Sequence, residues 1–216
     1  MLRVGFTGGM ASGKSALAAL LGRLGAAVCD ADEIVGELYR PGGAGAKAVE
    51  RLFGRAVLAE NGGVDRERLA AVALPDPVAR RRLEAAVHPL VRAGVAEWLR
   101  GLARAGPPPQ VAVVEAALLV ETGTFADYDR LVVVAAPEAT RLARAVAKGW
   151  PEARFRRVAA AQAADEAREA VADYVVRNDA GLPALAAAAE RLWALLVEDA
   201  RRLEEGAPLP PRRLTI

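Results

Sequence analysis

A glycine-rich run near the start of the sequence has the residue types and the spacing of a phosphate-binding loop. Residues 8–15 read Gly-Gly-Met-Ala-Ser-Gly-Lys-Ser, which is the pattern G-x-x-x-x-G-K-S. Glycines in such a run let backbone N–H groups turn toward phosphate oxygens. Lys14 adds a compact positive charge for the outer phosphates, and the hydroxyl of Ser15 is suited to bind Mg²⁺. The run therefore predicts a nucleotide-binding site without saying what happens to the nucleotide.

The segments on either side of this loop favour a strand before it and a helix after it. Residues 2–7 are short and mostly apolar, as in a buried strand. Residues 16–24 are helix formers with leucines at helical spacing, and the new helix would point its positive N-terminus at bound phosphate. A glycine-rich turn that matches by chance is the alternative, and the correct flanks make it the weaker one.

Length and composition limit the kinds of protein that this chain can be. Its 216 residues suit one α/β domain, or one domain with an inserted subdomain, and the 53% of hydrophobic residues suffice for a full core. The net charge of +2 gives no argument for a nucleic-acid partner, and the single cysteine, Cys29, excludes an intrachain disulfide. No leader precedes the loop and no apolar stretch is long enough to span a bilayer, so we expect a cytoplasmic protein with no membrane partner.

Strands that alternate with helices indicate a mostly parallel sheet that is covered on both faces. Besides the first strand, short apolar runs predict strands at 26–29, 111–114, 131–135 and 174–176. Two acids fit helix N-caps, Asp65 and Asp76, the second with proline at the first helical position. We expect a helix break near His88 and Pro89, and a loose tail from Gly206. Helices are predicted over 34–39, 46–53, 65–73, 76–104, 137–148, 152–163, 165–172 and 182–203.

Acidic residues follow two of the predicted strands. Asp30 and Asp32 come after the second strand, and Glu115 comes after the run at 111–114. Ligands of such sheets bind beyond the carboxyl ends of the strands, where an acid can hold Mg²⁺ or take a proton from a substrate hydroxyl. The alternatives are a helix N-cap for Asp30 and a solvated first-turn acid for Asp32.

Basic residues late in the chain favour a lid that closes over a triphosphate. Arg141, Arg144 and Lys148 fall on one face of the predicted helix 137–148, and further arginines follow at 154, 156 and 157. An arginine delivered in this way stabilises charge on a transferring phosphoryl group. For any single member of the group, a solvated basic face is the alternative.

The chain resembles the dephospho-CoA kinase family over most of its own length, because family-like segments occur in the family's order. The two most specific elements are residues 5–15 and the sequence Val-Cys-Asp-Ala-Asp at 28–32. Weaker elements follow in the family's order: Phe53-Gly54, Gly63-Val64-Asp65-Arg66 with Leu69, His88-Pro89, residues 115–121, Arg157 with Gln162, and residues 172–178.

The resemblance implies ATP-dependent phosphorylation of the ribose 3′-hydroxyl of dephospho-CoA, with Mg²⁺ as cofactor, by a monomer or weak homo-oligomer. It also implies an α/β P-loop NTPase fold with three layers. A single P-loop kinase domain, residues 1–216, would comprise a nucleotide core (about 1–35, 110–136 and 173–203), a helical substrate-binding portion (about 36–109) and a lid (about 137–172).

By matching position, the resemblance also implies roles for individual residues. Asp32 would be the catalytic base, and Lys14 and Arg144 would stabilise phosphate charge. Mg²⁺ would be held by Ser15, with Glu115 or Asp30 acting through its water. The implied substrate-binding residues are Asp32, His88, Leu118 and Glu121, and the implied ATP-binding residues are Gly8, Gly9, Met10, Ala11, Ser12, Gly13, Lys14, Ser15, Ala16, Arg144 and Asn178.

Four positions depart from the family pattern. Gly36 stands where an arginine is usual, Ala117 replaces a proline, Val120 replaces a phenylalanine, and Lys148 replaces a second lid arginine. Another P-loop kinase of small molecules or nucleosides is the alternative, because the loop alone does not exclude it. A GTP-dependent switch is disfavoured because the sequence has no N-K-x-D motif.

Overall fold

The computed structural model describes all 216 residues and divides them into two compact units. One unit comprises Met1–Cys29 together with Gly106–Ile216, and the other is Asp30–Ala105. None of the helices combines the length with the apolar character that crossing a membrane requires. The finer division into core, substrate-binding portion and lid stays a prediction.

The first unit is built on a six-stranded sheet in the order β2-β3-β1-β4-β5-β6. The central strand β1 pairs in parallel with β3 and β4, β4 pairs in parallel with β5, and β5 with β6. This confirms the mostly parallel sheet that the alternating pattern predicts. The strands are β1 (Leu2–Gly8), β2 (Ala27–Asp30), β3 (Val111–Glu115), β4 (Arg130–Ala135), β5 (Tyr174–Arg177) and β6 (Leu214–Thr215).

Nine α-helices accompany the sheet, with short 3₁₀ turns at Arg55–Val57 and Thr124–Asp127. The helices are α1 (Lys14–Leu24), α2 (Ala31–Leu38), α3 (Ala44–Phe53), α4 (Arg66–Ala73), α5 (Pro77–Arg104), α6 (Glu138–Ala147), α7 (Glu152–Ala160), α8 (Asp165–Val171) and α9 (Leu182–Glu204).

Apolar side chains cover the sheet on both faces. On one face, leucines of α1 and α9 such as Leu21 and Leu192 form one cluster with the strand residues, and both are fully buried. A second cluster joins Leu119 from the segment after β3 to Val133 of β4 and Val175 of β5. The sheet is thus a middle layer, and its buried strands require the continuous apolar runs seen in the sequence.

The second unit is helical and has a core of its own around Val49, Leu69 and Val87. Its helices α4 and α5 begin where the sequence predicts. Asp65 accepts hydrogen bonds from the N–H groups of two first-turn residues of α4, and Asp76 accepts one from Val78 N. Such caps satisfy donors that have no partner within the helix.

The break expected near His88 and Pro89 is wrong, because α5 runs without interruption from Pro77 to Arg104. A proline inside a helix removes one N–H donor and crowds the preceding turn. On both sides of Pro89 the helix packs into the apolar cluster, through Leu83, Val87 and Val91. This burial keeps the helix continuous despite the lost backbone bond.

The loose tail expected from Gly206 is also wrong. Residues 214–215 form β6, and Arg130 Nη2 donates to the carbonyl oxygen of Pro210 at 2.8 Å. Arg212 Nη2 donates to Asp199 Oδ1 at 3.2 Å. Arg130 lies 80 residues from Pro210 and Asp199 lies 13 residues from Arg212, so both contacts are beyond the reach of a local pattern.

Asp199 is the centre of a buried polar network at the amino ends of β4 and β5. Its Oδ2 accepts hydrogen bonds from Arg130 Nε and from Tyr174 OH, each at 2.6 Å. Burial opposes the charged carboxylate, but the hydrogen bonds from Arg130 and Tyr174 outweigh it and lower the pKa of Asp199. Burial and the bond to Asp199 raise the pKa of Tyr174, which therefore stays a donor.

Candidate functional site

The glycine-rich loop links the end of β1 to the start of α1, as the sequence predicts. Gly8 and Gly13 have φ values of +155° and +101°, which favour glycine. A Cβ atom at Gly8 would lie 2.3 Å from the carbonyl oxygen of Val134, and one at Gly13 would lie 2.0 Å from Asn178 Nδ2. Both positions therefore require glycine for their backbone conformation and for their close neighbours.

Ala11, at the tip of the loop, is the only non-glycine residue with a positive φ, 59°. This left-handed conformation costs an alanine about 1–2 kcal/mol. Neighbouring contacts hold the tip in place: Ser12 N donates to Gly9 O at 3.1 Å, and Met10 N donates to Gln162 Oε1 at 2.9 Å. These two hydrogen bonds support the strained shape of the loop on both sides of Ala11.

Lys14, Ser15 and Glu115 meet at the N-terminus of α1. Lys14 Nζ donates to the carbonyl oxygens of Gly8 and Gly9, at 3.1 and 3.3 Å. Ser15 Oγ donates to Glu115 Oε1 at 2.8 Å, and Glu115 is buried. The structure thus brings together the predicted phosphate-binding Lys14, the predicted Mg²⁺ ligand Ser15, and Glu115, which is predicted to act through the water of Mg²⁺.

Arg144 and Asn178 contact the other side of the loop. Asn178 Nδ2 donates to Ser12 O at 2.7 Å, and Arg144 Nη1 donates to the same oxygen at 3.3 Å. Arg144 Nη2 also donates to Asn178 O at 2.9 Å. Two predicted ATP-binding residues from separate elements therefore share one backbone oxygen of the loop.

Arg141 contacts the loop as well, and the sequence does not single it out. It belongs to the basic face that favours a lid, yet it is buried, whereas Lys148 on the same predicted face is exposed at the end of α6. A Cβ atom at Gly9 would lie 2.3 Å from Arg141 Nη1, so this guanidinium lies against the loop backbone. In the sequence, Arg141 and exposed Lys148 belong to the same basic face, and only the fold shows that Arg141 is the buried one.

Ion pairs connect the elements that surround the loop. Asp165 pairs with Arg141 and with Arg168, both at 2.9 Å, and Arg168 pairs with Glu121 at 3.1 Å. Glu121 Oε1 also accepts a hydrogen bond from Ala163 N at 2.8 Å. The carboxylate of Glu121 therefore holds α8 in place, and its implied contact with substrate stays a prediction, as does that of half-exposed Leu118.

A cleft of about 560 Å³ lies among α6, α7 and α8. Its lining includes Arg141, Gln162, Asp165 and Arg168. Trp150 lies in the connection between α6 and α7. The guanidinium of Arg154 stacks over its ring, 4.1 Å from the ring centroid. Residues 137–172, the predicted lid, thus comprise three helices that each contribute charged side chains to the lining of this cleft.

Asp30 and Asp32 lie at the start of α2. Asp30 Oδ1 accepts a hydrogen bond from Asp32 N at 2.8 Å, which is the N-cap interpretation of this residue. Asp32 is exposed in the first turn, and half-buried His88 lies on α5. The catalytic, metal-binding and substrate-binding roles of these three residues stay predictions.

Gly36 stands where the family pattern has an arginine, and the side chain of Arg66 lies beside this position. Arg66 Nη2 lies 3.5 Å from where a Cβ atom at Gly36 would stand. The same guanidinium is 6.0 Å from the centroid of the Tyr39 ring. Burial raises the pKa of Tyr39, against the opposing charge of Arg66. Positive charge is therefore present near position 36 although its own side chain is absent.

A parallel sheet, a glycine-rich loop after its central strand and a helix that starts at the loop's lysine define a P-loop NTPase fold. A dephospho-CoA kinase from Campylobacter jejuni has this fold, with a TM-score of 0.60 at 19% identity over 90% of this chain and 96% of that one. A solved structure from Thermus thermophilus matches with a TM-score of 0.73 at 32% identity, over 90% of this chain and 97% of that one.

The sequence comparisons identify the family. The model of the family described as dephospho-CoA kinase matches residues 2–184. A dephospho-CoA kinase from Thiobacillus denitrificans is 44% identical over 187 residues, which are 86% of this chain and 90% of the relative. The chain belongs to the dephospho-CoA kinase family, as the ordered motifs predict.

Proposed function

We propose that this chain transfers the γ-phosphoryl group of ATP to the ribose 3′-hydroxyl of dephospho-CoA, giving coenzyme A and ADP. One observation carries the proposal within the family. The phosphate loop places Lys14 Nζ on the carbonyl oxygens of Gly8 and Gly9, and Ser15 beside it is hydrogen-bonded to Glu115.

On the donor side, backbone N–H groups of residues 11–16 and the N-terminus of α1 receive the phosphates. Lys14 exchanges its two carbonyl contacts for phosphate oxygens and balances their charge. Arg144 and Asn178, joined to each other and to Ser12 O, support binding of the nucleotide from the far side of the loop. These contacts support an ATP-binding role for Arg144, and its catalytic role is a separate proposal.

On the acceptor side, Asp32 accepts a hydrogen bond from the 3′-hydroxyl. As the bond from the 3′-oxygen to phosphorus forms, the bond from phosphorus to the β–γ bridging oxygen breaks, and the proton passes to Asp32. The transition state of phosphoryl transfer is loose, so positioning and charge contribute more than the strength of the base. His88, Leu118 and Glu121 are proposed to contact the acceptor on the strength of the family pattern.

The residues beside the loop fit Mg²⁺. Ser15 and Glu115 offer the oxygen ligands that a hard cation prefers, and their side chains already meet at 2.8 Å. When bound, Mg²⁺ would neutralise charge that develops between the β- and γ-phosphates.

We further propose a cytoplasmic enzyme that works as a monomer or weak homo-oligomer.

Incubation with γ-labelled ATP and a panel of acceptors tests the activity. We expect label on dephospho-CoA, none on adenosine or other nucleosides, and loss of transfer in Lys14→Met. The matched control is Arg201→Met, an exposed cation on α9 outside the site. Label on a nucleoside and none on dephospho-CoA would establish the alternative, another P-loop kinase.

A further inference from the structure

The side chain of Gln162 holds a backbone amide of the phosphate loop. Its Oε1 accepts a hydrogen bond from Met10 N at 2.9 Å, in a half-buried setting. Met10 directly precedes Ala11, the residue with the left-handed backbone. The bond therefore acts at the strained tip of the loop, from a segment 152 residues away in sequence.

Gln162 itself is held from two sides. Its own backbone N–H donates to Ala159 O at 3.2 Å at the end of α7. The next residue, Ala163, donates its N–H to Glu121 Oε1 at 2.8 Å, in the segment that follows β3. These two bonds fix the backbone that carries the Gln162 side chain, so the side chain starts from a defined place beside the loop.

A second set of contacts links the phosphate loop to Glu121, through Arg141, Asp165 and Arg168. Arg141, whose guanidinium lies against Gly9, pairs with Asp165, and Asp165 pairs with buried Arg168. Arg168 reaches the same carboxylate of Glu121. Two adjacent residues of the loop, Gly9 and Met10, are thus contacted by side chains that the same α7–α8 connection orders.

We propose that Gln162 is a positioning residue that keeps the phosphate loop in its nucleotide-binding conformation. Because Met10 N has an acceptor in Gln162 and precedes the amides that we assign to phosphate, residues 11–16, we expect the bond to Gln162 to persist when ATP binds. The inference rests on the proposed function only in naming ATP as the ligand; the effect on the loop itself does not depend on the acceptor.

The sequence supplies a direct probe of this bond. The sequence has two methionines, Met1 and Met10. Labelling with ¹⁵N-methionine therefore gives at most two backbone amide signals, and the one that disappears in Met10→Leu belongs to Met10. In Gln162→Leu we expect its hydrogen exchange to be roughly tenfold faster. We also expect the KM for ATP and the Kd for ADP to rise about three- to tenfold, the loss expected for one hydrogen bond, with kcat changed less than KM.

Two variants serve as comparisons. Gln110→Leu makes the same change at an exposed position before β3 and should leave exchange and KM at their normal values. Gln162→Glu keeps an acceptor oxygen, so it should restore slow exchange at Met10. Normal exchange and normal ADP affinity in a folded Gln162→Leu would overturn the proposal. If that variant does not fold, Gln162→Asn, which is too short to reach Met10, must give the fast exchange and the weaker binding, and normal values there overturn the proposal equally.

Discussion

At the scale of single residues, Arg144 carries two proposed roles that kinetics can separate. A transition-state arginine contributes about 10³–10⁵ in rate, and a general base about 10²–10⁴. We expect Arg144→Ala to lower kcat, at saturating ATP, at least as much as Asp32→Asn does. Steady-state rates of both variants measure this, with exposed Arg201→Ala as the control.

The contacts of Arg144 define the contrary outcome. Its guanidinium bonds to Ser12 O and to Asn178, both within the nucleotide-binding unit. A near-normal kcat combined with a raised KM for ATP in Arg144→Ala would remove the catalytic assignment and leave the ATP-binding one. The phosphate charge would then be balanced by Lys14 and by Arg141, which lies against Gly9.

Two glycines with positive φ allow the effect of a crowded Cβ atom to be separated from that of backbone strain. Gly13 and Gly206 both have positive φ, +101° and +69°, but only at Gly13 would a Cβ atom meet a neighbour, Asn178 Nδ2 at 2.0 Å. We expect Gly13→Ala to displace Asn178 from Ser12 and to raise the KM for ATP at least about tenfold, the loss of one to two hydrogen bonds.

In the matched control, Gly206→Ala, only the backbone strain changes. We expect a fall in the free energy of unfolding of about 1–2 kcal/mol and an unchanged KM for ATP. Equal KM values in the two alanine variants would show that the approach of Asn178 to the loop does not shape the nucleotide site.

At the scale of elements, Asp199 fastens α9 to β4 and β5. Its carboxylate is fully buried and bonds to Arg130, Tyr174 and Arg212. Removing the charge from one side of a buried ion pair costs roughly 3–5 kcal/mol, so Asp199→Asn should lose that much stability in urea unfolding. The neighbouring change Glu198→Gln, at a partly exposed pair, should cost only about 0–1 kcal/mol.

The wild-type protein and Asp199→Asn can also be compared across pH. Because the folded state lowers the pKa of Asp199, its stabilisation is complete above the unfolded value, roughly pH 4, and is lost as pH falls through the folded pKa. The wild-type protein should therefore lose more stability between about pH 5 and pH 3 than Asp199→Asn. Parallel pH profiles would mean that the carboxylate is not the group that titrates.

The elements whose causes are local could be predicted from the sequence. The loop, the buried strands and the caps at Asp65 and Asp76 depend on residues within a few positions of each other. The continuity of α5 through Pro89 depends on packing against other helices, and the contacts of Gln162 and Arg141 span more than a hundred residues. Such long-range contacts have no local pattern, so the sequence assigns Arg141 only to a basic face.

At the scale of the whole molecule, the tail from Gly206 should govern stability more than turnover. Deletion of residues 207–216 removes β6, the Pro210 oxygen that Arg130 contacts, and the Arg212 contact of Asp199. We expect a loss of about 3–5 kcal/mol in the free energy of unfolding, since a buried ionic network loses partners. Deletion of Ile216 alone, which leaves Arg130 and Arg212 paired, should cost much less in the same measurement.

The proposed ATP-binding residues all lie in one compact unit, whereas the proposed acceptor contacts come from both, since Leu118 and Glu121 belong to the unit with the sheet. Lys14, Ser15 and Arg144 belong to the unit with the sheet, and Asp32 and His88 belong to the helical unit. ADP binding should therefore follow changes in the first unit, whereas changes in the second should alter the KM for dephospho-CoA.

The stack of Arg154 on Trp150 gives the protein an optical signal of its own. The indole lies between α6 and α7, and its emission depends on the charge and water around the ring. The other two tryptophans, Trp98 in α5 and Trp193 in α9, lie outside this connection. With both of them changed to phenylalanine, the colour of the remaining fluorescence would follow the surroundings of Trp150 in real time as nucleotide is added, without any attached dye.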